Sequence, residues 1–172
     1  MKVKMDKLKN MIEVHQSAFP NLEYKKFYSE VIHNNYIKTY GGREKYFKLK
    51  DTKKDLVIGD CVIRAISIAN SEPYNRAWEI LFERALLDGF FPNDDRVSEK
   101  VLKGYGWYKI KIAHQKWRTK TIYENYKFHK DRFYILHIRG HWVAMCNNVF
   151  YDTWDSYSSN KIVYNIYEKM DT

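Results

Sequence analysis

Two residues of this 172-residue chain have the types and settings to act together as nucleophile and base. Cys61 follows Gly59-Asp60 and opens the apolar run Val62-Ile63-Arg64-Ala65-Ile66-Ser67-Ile68-Ala69. A thiol on the first turn of a helix lies beside unpaired backbone N–H groups, whose partial positive charge stabilises a thiolate. The same N–H groups can hold a developing oxyanion. The sequence places Asp60 as N-cap, with Gly59 allowing a tight approach. A thiolate needs a base, and Gly140-His141-Trp142-Val143-Ala144-Met145 offers His141.

A third group follows from strand register. Asn147-Asn148 is a two-residue hairpin signal, which pairs Cys146 with Val149 and sets Val143 opposite Asp152 and His141 opposite Trp154. Side chains alternate faces, so His141, Asp152 and Trp154 share one face and Asp155 lies on the other unless a bulge intervenes. Asp152 is therefore the residue expected to orient the imidazole, with Asp155 as fallback. In this arrangement Cys61 attacks an acyl carbonyl, its backbone N–H supplies one oxyanion donor, and His141 protonates the leaving group. Trp154 shields the His141–Asp152 hydrogen bond from water.

The remaining chain supplies elements to position these groups. Residues 1–17 carry Met5, Leu8, Met11, Ile12 and His15 at helical spacing, and a second helical stretch runs from Leu22 to Tyr36 until Tyr40-Gly41-Gly42 breaks it. Lys45–Lys50 reads as a short strand and Asp51–Lys54 as a turn. The helix Cys61–Asn70 is apolar almost all round, so it belongs in the centre of a domain. Ser71 and Pro73 read as the start of the next helix, which places Tyr74, Ala77, Trp78, Leu81 and Ala85 on one face and stops at Gly89. A helix over Val97–Lys103, a strand over Trp107–Ile112 and a helix over Thr119–Tyr126 follow. Strands are then expected over Arg132–Ile138, His141–Cys146, Val149–Trp154 and Lys161–Tyr167. Helices first and an antiparallel sheet after them describe an α+β domain. The division is a basic, mainly helical extension over 1–54 packed on a core over 55–172, one globular unit overall.

Composition narrows the partners. The net charge is +9, and residues 1–54 hold 13 Lys and Arg against 6 Asp and Glu, a net +7, while residues 55–172 hold 17 against 15, a net +2. The basic portion reads first as a solvated lysine-rich surface, with an acidic partner or nucleic acid as the alternative. No apolar run spans a bilayer and no apolar stretch follows the basic N-terminus, so a cytoplasmic protein without membrane association is expected. The two cysteines, Cys61 and Cys146, are expected to be free thiols. No Cys/His spacing suits zinc, and no metal or cofactor is expected. Alone, each candidate has an ordinary structural reading: Cys61 as a buried core thiol, His141 as a strand histidine, Asp152 or Asp155 as a turn cap. Cys146 is read as packing, and His15, His33, His114, His129 and His137 have no evident partner.

The order and context of these pieces resemble the papain-like cysteine peptidases. Asp60-Cys61 opens a buried helix, Gly140-His141-Trp142-Val143-Ala144 lies on a later strand, and Asp152-Thr153-Trp154 on the next is similar to the Asn-Ser-Trp element of papain. Asp for Asn is a substitution also found in divergent branches, including the bacteriocin-processing peptidases. Together GDCVIRA, GHWVAM and YDTWDS resemble small papain-like proteins of phages and bacteria, over roughly residues 55–168. The resemblance implies a cysteine-nucleophile hydrolase acting on a peptide or isopeptide bond of a peptide or protein substrate, in the host cytoplasm if phage-encoded. An acyl transferase or deamidase with the same residues, or a catalytically inactive binding or inhibitor module of an anti-defence type, are the alternatives. The pattern departs from the family at Lys53-Lys54-Asp55-Leu56-Val57-Ile58, which holds neither the Gln nor the Asn that relatives usually place before the cysteine.

Overall fold

The computed structural model describes residues 35–43, 59–110, 112, 117–129 and 132–169. In chain order these form β1 (Tyr36–Lys38), α1 (Cys61–Asn70), α2 (Tyr74–Asp88), α3 (Asp95–Gly104), β2 (Trp107–Ile110), α4 (Thr119–Asn125), β3 (Phe133–Ile138), β4 (His141–Cys146), β5 (Val149–Asp152) and β6 (Val163–Lys169). Among the described residues the fold is α+β, four helices packed on one six-stranded sheet of order β1-β5-β4-β3-β6-β2. The sheet is mixed rather than antiparallel: β1 runs parallel to β5, while the other neighbours are antiparallel. Nor do the helices simply precede the strands, since α4 lies between β2 and β3. The expected helix 1–17 and strand Lys45–Lys50 lie outside the described residues, as does most of Leu22–Tyr36. The last residue of that stretch, Tyr36, opens β1 instead. Strand pairing with Phe150 decides its conformation, since three residues beside a complete strand gain hydrogen bonds that an isolated helix end cannot.

The sheet is covered on both faces. On one, α1 buries Val62, Ile63, Ala65, Ile66, Ile68 and Ala69 against strand residues including Ile135, Trp142, Ala144, Cys146 and Tyr151. Each large aliphatic side chain so buried contributes roughly 2 kcal/mol. Helix α2 packs on α1, and α3 packs on α2 and β2. On the other face Ile122 of α4 joins Tyr134, Leu136, Ile138, Val143, Met145, Phe150 and Ile166. Strands buried on both faces read as near-continuous apolar runs, which is the pattern of β3 and β4.

Local chemistry explains where elements begin and end. Asn147 and Asn148 both have positive φ, 50° and 59°, as a type I′ turn requires, and Cys146 pairs with Val149 as the sequence indicates. Ser71 terminates α1 rather than opening α2: its φ is 56°, and its N–H donates to Ile68 while the N–H of Glu72 donates to Ser67. Pro73 then occupies the cap position of α2, and its carbonyl accepts from Arg76 and Ala77. Asp94 caps α3 by accepting from the Arg96 N–H, so that helix starts at Asp95, two residues before the expected Val97. In α2, Tyr74, Ala77, Leu81 and Ala85 are buried, but Trp78 is turned outward, stacked on Phe82 with ring centroids 3.9 Å apart.

Candidate active site

The N-terminus of α1, the start of β4 and the end of β5 converge. Gly140, with φ at +72°, reverses the chain between β3 and β4, so His141 begins its strand opposite Ile138. The ring of His141 is buried, and its Nε2 lies 2.6 Å from Oδ2 of Asp152. The Cys61 side chain is near enough to the same imidazole to raise its pKa, and with Nε2 taken by Asp152 the nitrogen left for the thiol is Nδ1. Cys61 is partly exposed, whereas Cys146 is buried beneath α1 in the same apolar cluster against which Cys61 packs. Cys61, His141 and Asp152 therefore form one interacting group, with a hydrogen bond between His141 and Asp152.

Asp152 is fully buried and saturated with donors. Its Oδ1 accepts from Arg64 Nη1 at 3.0 Å and from the Thr153 N–H at 2.7 Å. Its Oδ2 accepts from His141 Nε2 and from the Ser156 hydroxyl. An ionised carboxylate offers about four acceptor positions, and all are used. Burial alone would raise the pKa of Asp152. The hydrogen bond and charge of His141, the Ser156 hydroxyl and the Arg64 guanidinium outweigh it and hold the carboxyl below its ordinary value. Because Asp152 is an acceptor only, His141 Nε2 carries the hydrogen. Burial likewise works against a charged His141, yet hydrogen bonds to Asp152 and Cys61, with the charges of both, raise its pKa to about 9. At neutral pH the imidazole is thus an imidazolium aimed at the thiol.

The strand end itself is fixed by Asp152. By taking the Thr153 N–H onto its side chain it turns the chain out of the sheet, so β5 stops at Asp152 rather than the expected Trp154. Trp154 nevertheless reaches back, with its ring 5.0 Å from that of His141. The fallback residue Asp155 is not in the group; its carboxylate accepts from the Ser158 N–H and closes the following turn.

Asp60 departs from expectation. It occupies the cap position of α1, yet its side chain makes no capping bond. Instead Oδ1 accepts from Arg64 Nε at 3.0 Å, and Oδ2 accepts from Arg43 Nη1 at 3.1 Å and the Tyr74 hydroxyl at 3.0 Å. Two buried guanidinium groups outbid a backbone N–H because a charge-assisted bond is roughly twice as strong as a neutral one. This leaves the first N–H groups of α1, including that of Cys61, free of the Asp60 side chain. Arg64 was the residue least visible in sequence, one turn after Cys61 in an apolar helix. Its signal is the spacing Cys61-Arg64-Ser67, a polar stripe of i, i+3, i+6 in a segment otherwise fit for burial.

Other expected features divide plainly. His137 stacks on Trp142 at 4.4 Å between ring centroids and lies 3.6 Å from Asp95, apart from the Cys61 group. His129 donates its backbone N–H to the Tyr134 hydroxyl. His15, His33, His114 and residues 53–58 lie outside the described residues. Among the described residues no cluster of three or more His, Cys, Asp and Glu could hold a metal ion, and no helix is long and apolar enough to cross a membrane. Comparison of the chain with protein-family models, with curated proteins and with solved structures finds no match.

Proposed function

We propose that this protein is a papain-like cysteine hydrolase that cleaves a peptide or isopeptide bond through Cys61, His141 and Asp152. The observation that carries the reading is the buried imidazole of His141, hydrogen-bonded to a saturated carboxylate and near enough to the Cys61 thiol for that group to raise its pKa. A structural histidine needs one partner; a partly exposed thiol as the second is the arrangement nucleophilic catalysis requires. In the proposed reaction the Cys61 sulfur, as thiolate, bonds to the scissile carbonyl carbon. The carbonyl π electrons move to oxygen, where the Cys61 backbone N–H at the start of α1 stabilises them. The oxyanion collapses, the C–N bond breaks, and His141 Nδ1–H protonates the departing amine, leaving a thioester. Neutral His141 then takes a proton from water, hydroxide attacks the thioester carbon, and the C–S bond breaks to release the acid and restore the thiolate. Asp152 keeps the ring oriented and its Nε2 protonated throughout.

A thiol-directed electrophile followed by peptide mapping tests this. The expected result is modification of Cys61 at neutral pH, none at buried Cys146, and loss of the label in Cys61→Ala. An unreactive Cys61 overturns the enzyme reading. The second reading is an inactive binding module with the same fold, favoured by the lack of Gln or Asn across residues 53–58. It predicts that Cys61→Ala keeps its biological effect. An amine acceptor in place of water gives acyl transfer from the same thioester. The basic residues 1–54 favour acidic partners, and a steep salt dependence would mark nucleic acid among them.

A further inference from the structure

We propose that Arg64 is a positioning residue, whose guanidinium ties the acid of the triad to the helix that bears the nucleophile. The inference rests on the reading of Cys61, His141 and Asp152 as a reacting group, and it concerns a residue that reaction does not itself use. Arg64 lies one helical turn beyond Cys61 and is 5% exposed. It spans two carboxylates, with Nε on Asp60 Oδ1 and Nη1 on Asp152 Oδ1, each at 3.0 Å. A planar guanidinium held at two corners cannot rotate, so it fixes Asp152 Oδ1 relative to α1. With Oδ1 taken by Arg64 and the Thr153 N–H, the oxygen left for His141 is Oδ2, where the 2.6 Å contact lies.

Arg64 is itself immobilised. Asp60, the residue before Cys61, is held by Arg43 and Tyr74. The loop carrying Arg43 packs so closely on Arg64 that a Cβ at Gly41 would stand 3.3 Å from the Arg64 Cα and Cβ. Ser67, the next residue along the same stripe, donates its hydroxyl to the Gly41 carbonyl at 3.0 Å. The line Arg43–Asp60–Arg64–Asp152 thus holds two positive and two negative charges, so the arginines balance the aspartates.

The test compares Arg64→Gln with Arg43→Gln. Both variants remove a buried guanidinium from Asp60, but only the first touches Asp152. Two readouts apply: the titration of the Asp152 carboxyl by carbon NMR, and the rate at which iodoacetamide alkylates Cys61. The groups facing Asp152 are His141 from β4, Arg64 from α1, Tyr36 from β1, the Thr153 N–H and Ser156 after β5, and Cys61 through His141. The change assigned to Arg64 is the difference between the two variants, in which the other groups are shared. In Arg64→Gln the Asp152 midpoint rises by about one pH unit and alkylation slows about 100-fold, as a displaced reacting geometry requires. Arg43→Gln leaves the midpoint where it is in the wild type. Equal midpoints and rates in the two variants overturn the proposal and make Arg64 a structural ion pair. Should Arg64→Gln fail to fold, Arg64→Lys retains charge but spans only one carboxylate, and its alkylation slows about 10-fold; a wild-type rate overturns the proposal. If iodoacetamide fails to modify wild-type Cys61, the hydrolase reading fails, while the Asp152 titration still decides the role of Arg64.

Discussion

The two ends of the sheet each bury a carboxylate among several donors, and they use it differently. At one end Glu168 on β6 accepts from the Tyr108 hydroxyl at 2.7 Å, the Tyr134 hydroxyl at 3.0 Å and Arg132 Nη1 at 3.0 Å. At the other end Asp152 on β5 accepts from Arg64, Thr153, Ser156 and His141. Both carboxyls are held below their ordinary values by these partners in spite of burial. The donors of Glu168 are a tyrosine from each of β2 and β3 and an arginine, groups that keep their protons near neutrality, so that site ties β2, β3 and β6 together. Among the donors of Asp152 is an imidazole whose pKa is also raised by a partly exposed thiol. The difference lies in one titratable donor with a second partner. That donor converts a structural device into a candidate reaction centre.

The comparison breaks most completely at the thiol. Cys61→Ala is expected to abolish electrophile labelling and hydrolysis while leaving the fold intact, since a partly exposed sulfur contributes little to the core. Peptide mapping with a melting curve checks both halves. Next in size is the exchange of each carboxylate for its amide. Asp152→Asn should slow Cys61 alkylation by about 1,000-fold, because an amide no longer fixes the protonated Nε2 of His141. Glu168→Gln should leave that rate unchanged and lower stability by about 2 kcal/mol, read from urea unfolding, through imperfect pairing of two tyrosines and an arginine.

Stability against pH separates the two ends further. The folded pKa of His141 is about 9, above its ordinary 6.5, so folding favours the protonated ring. Its contribution is complete below pH 6.5 and is lost as pH rises through about 9, on the order of 3 kcal/mol at roughly 1.4 kcal/mol per unit. The melting temperature should therefore fall between these values in the wild type and stay flatter in His141→Gln. Asp152 has the opposite sign: its contribution is present above its ordinary 3.8 and is lost as pH falls through the lower folded value. The smallest expected effect is that of Trp154→Ala, which uncovers the His141 ring and should slow alkylation about 10-fold, or 1.4 kcal/mol.

Much of the candidate site is legible in sequence because it depends on local rules. Two asparagines fix a hairpin register, and the register alone brings Asp152 rather than Asp155 to the face of His141. A helix apolar on every side announces its own burial, and Cys61 at its start follows. What the sequence hides is long-range pairing of charge. Asp60 reads as a cap because Asp before a helix usually is one; only the fold brings Arg43 and Tyr74 close enough to claim its oxygens. Arg64 hides in the same way, since a buried arginine is legible only once both its carboxylates are placed. The parallel edge strand β1 is hidden for a related reason: its partner β5 lies more than a hundred residues away, and three residues carry no period of their own.

A pH titration of His141 by nitrogen NMR, in the wild type and in Asp152→Asn, tests the central claim most directly. The coupled Cys61–His141–Asp152 group requires a midpoint near 9, with both ring nitrogens protonated at pH 7, and a clear fall in that midpoint when Asp152 becomes an amide. A midpoint near 6.5 that ignores Asp152→Asn would contradict it and reduce His141 to an ordinary strand histidine.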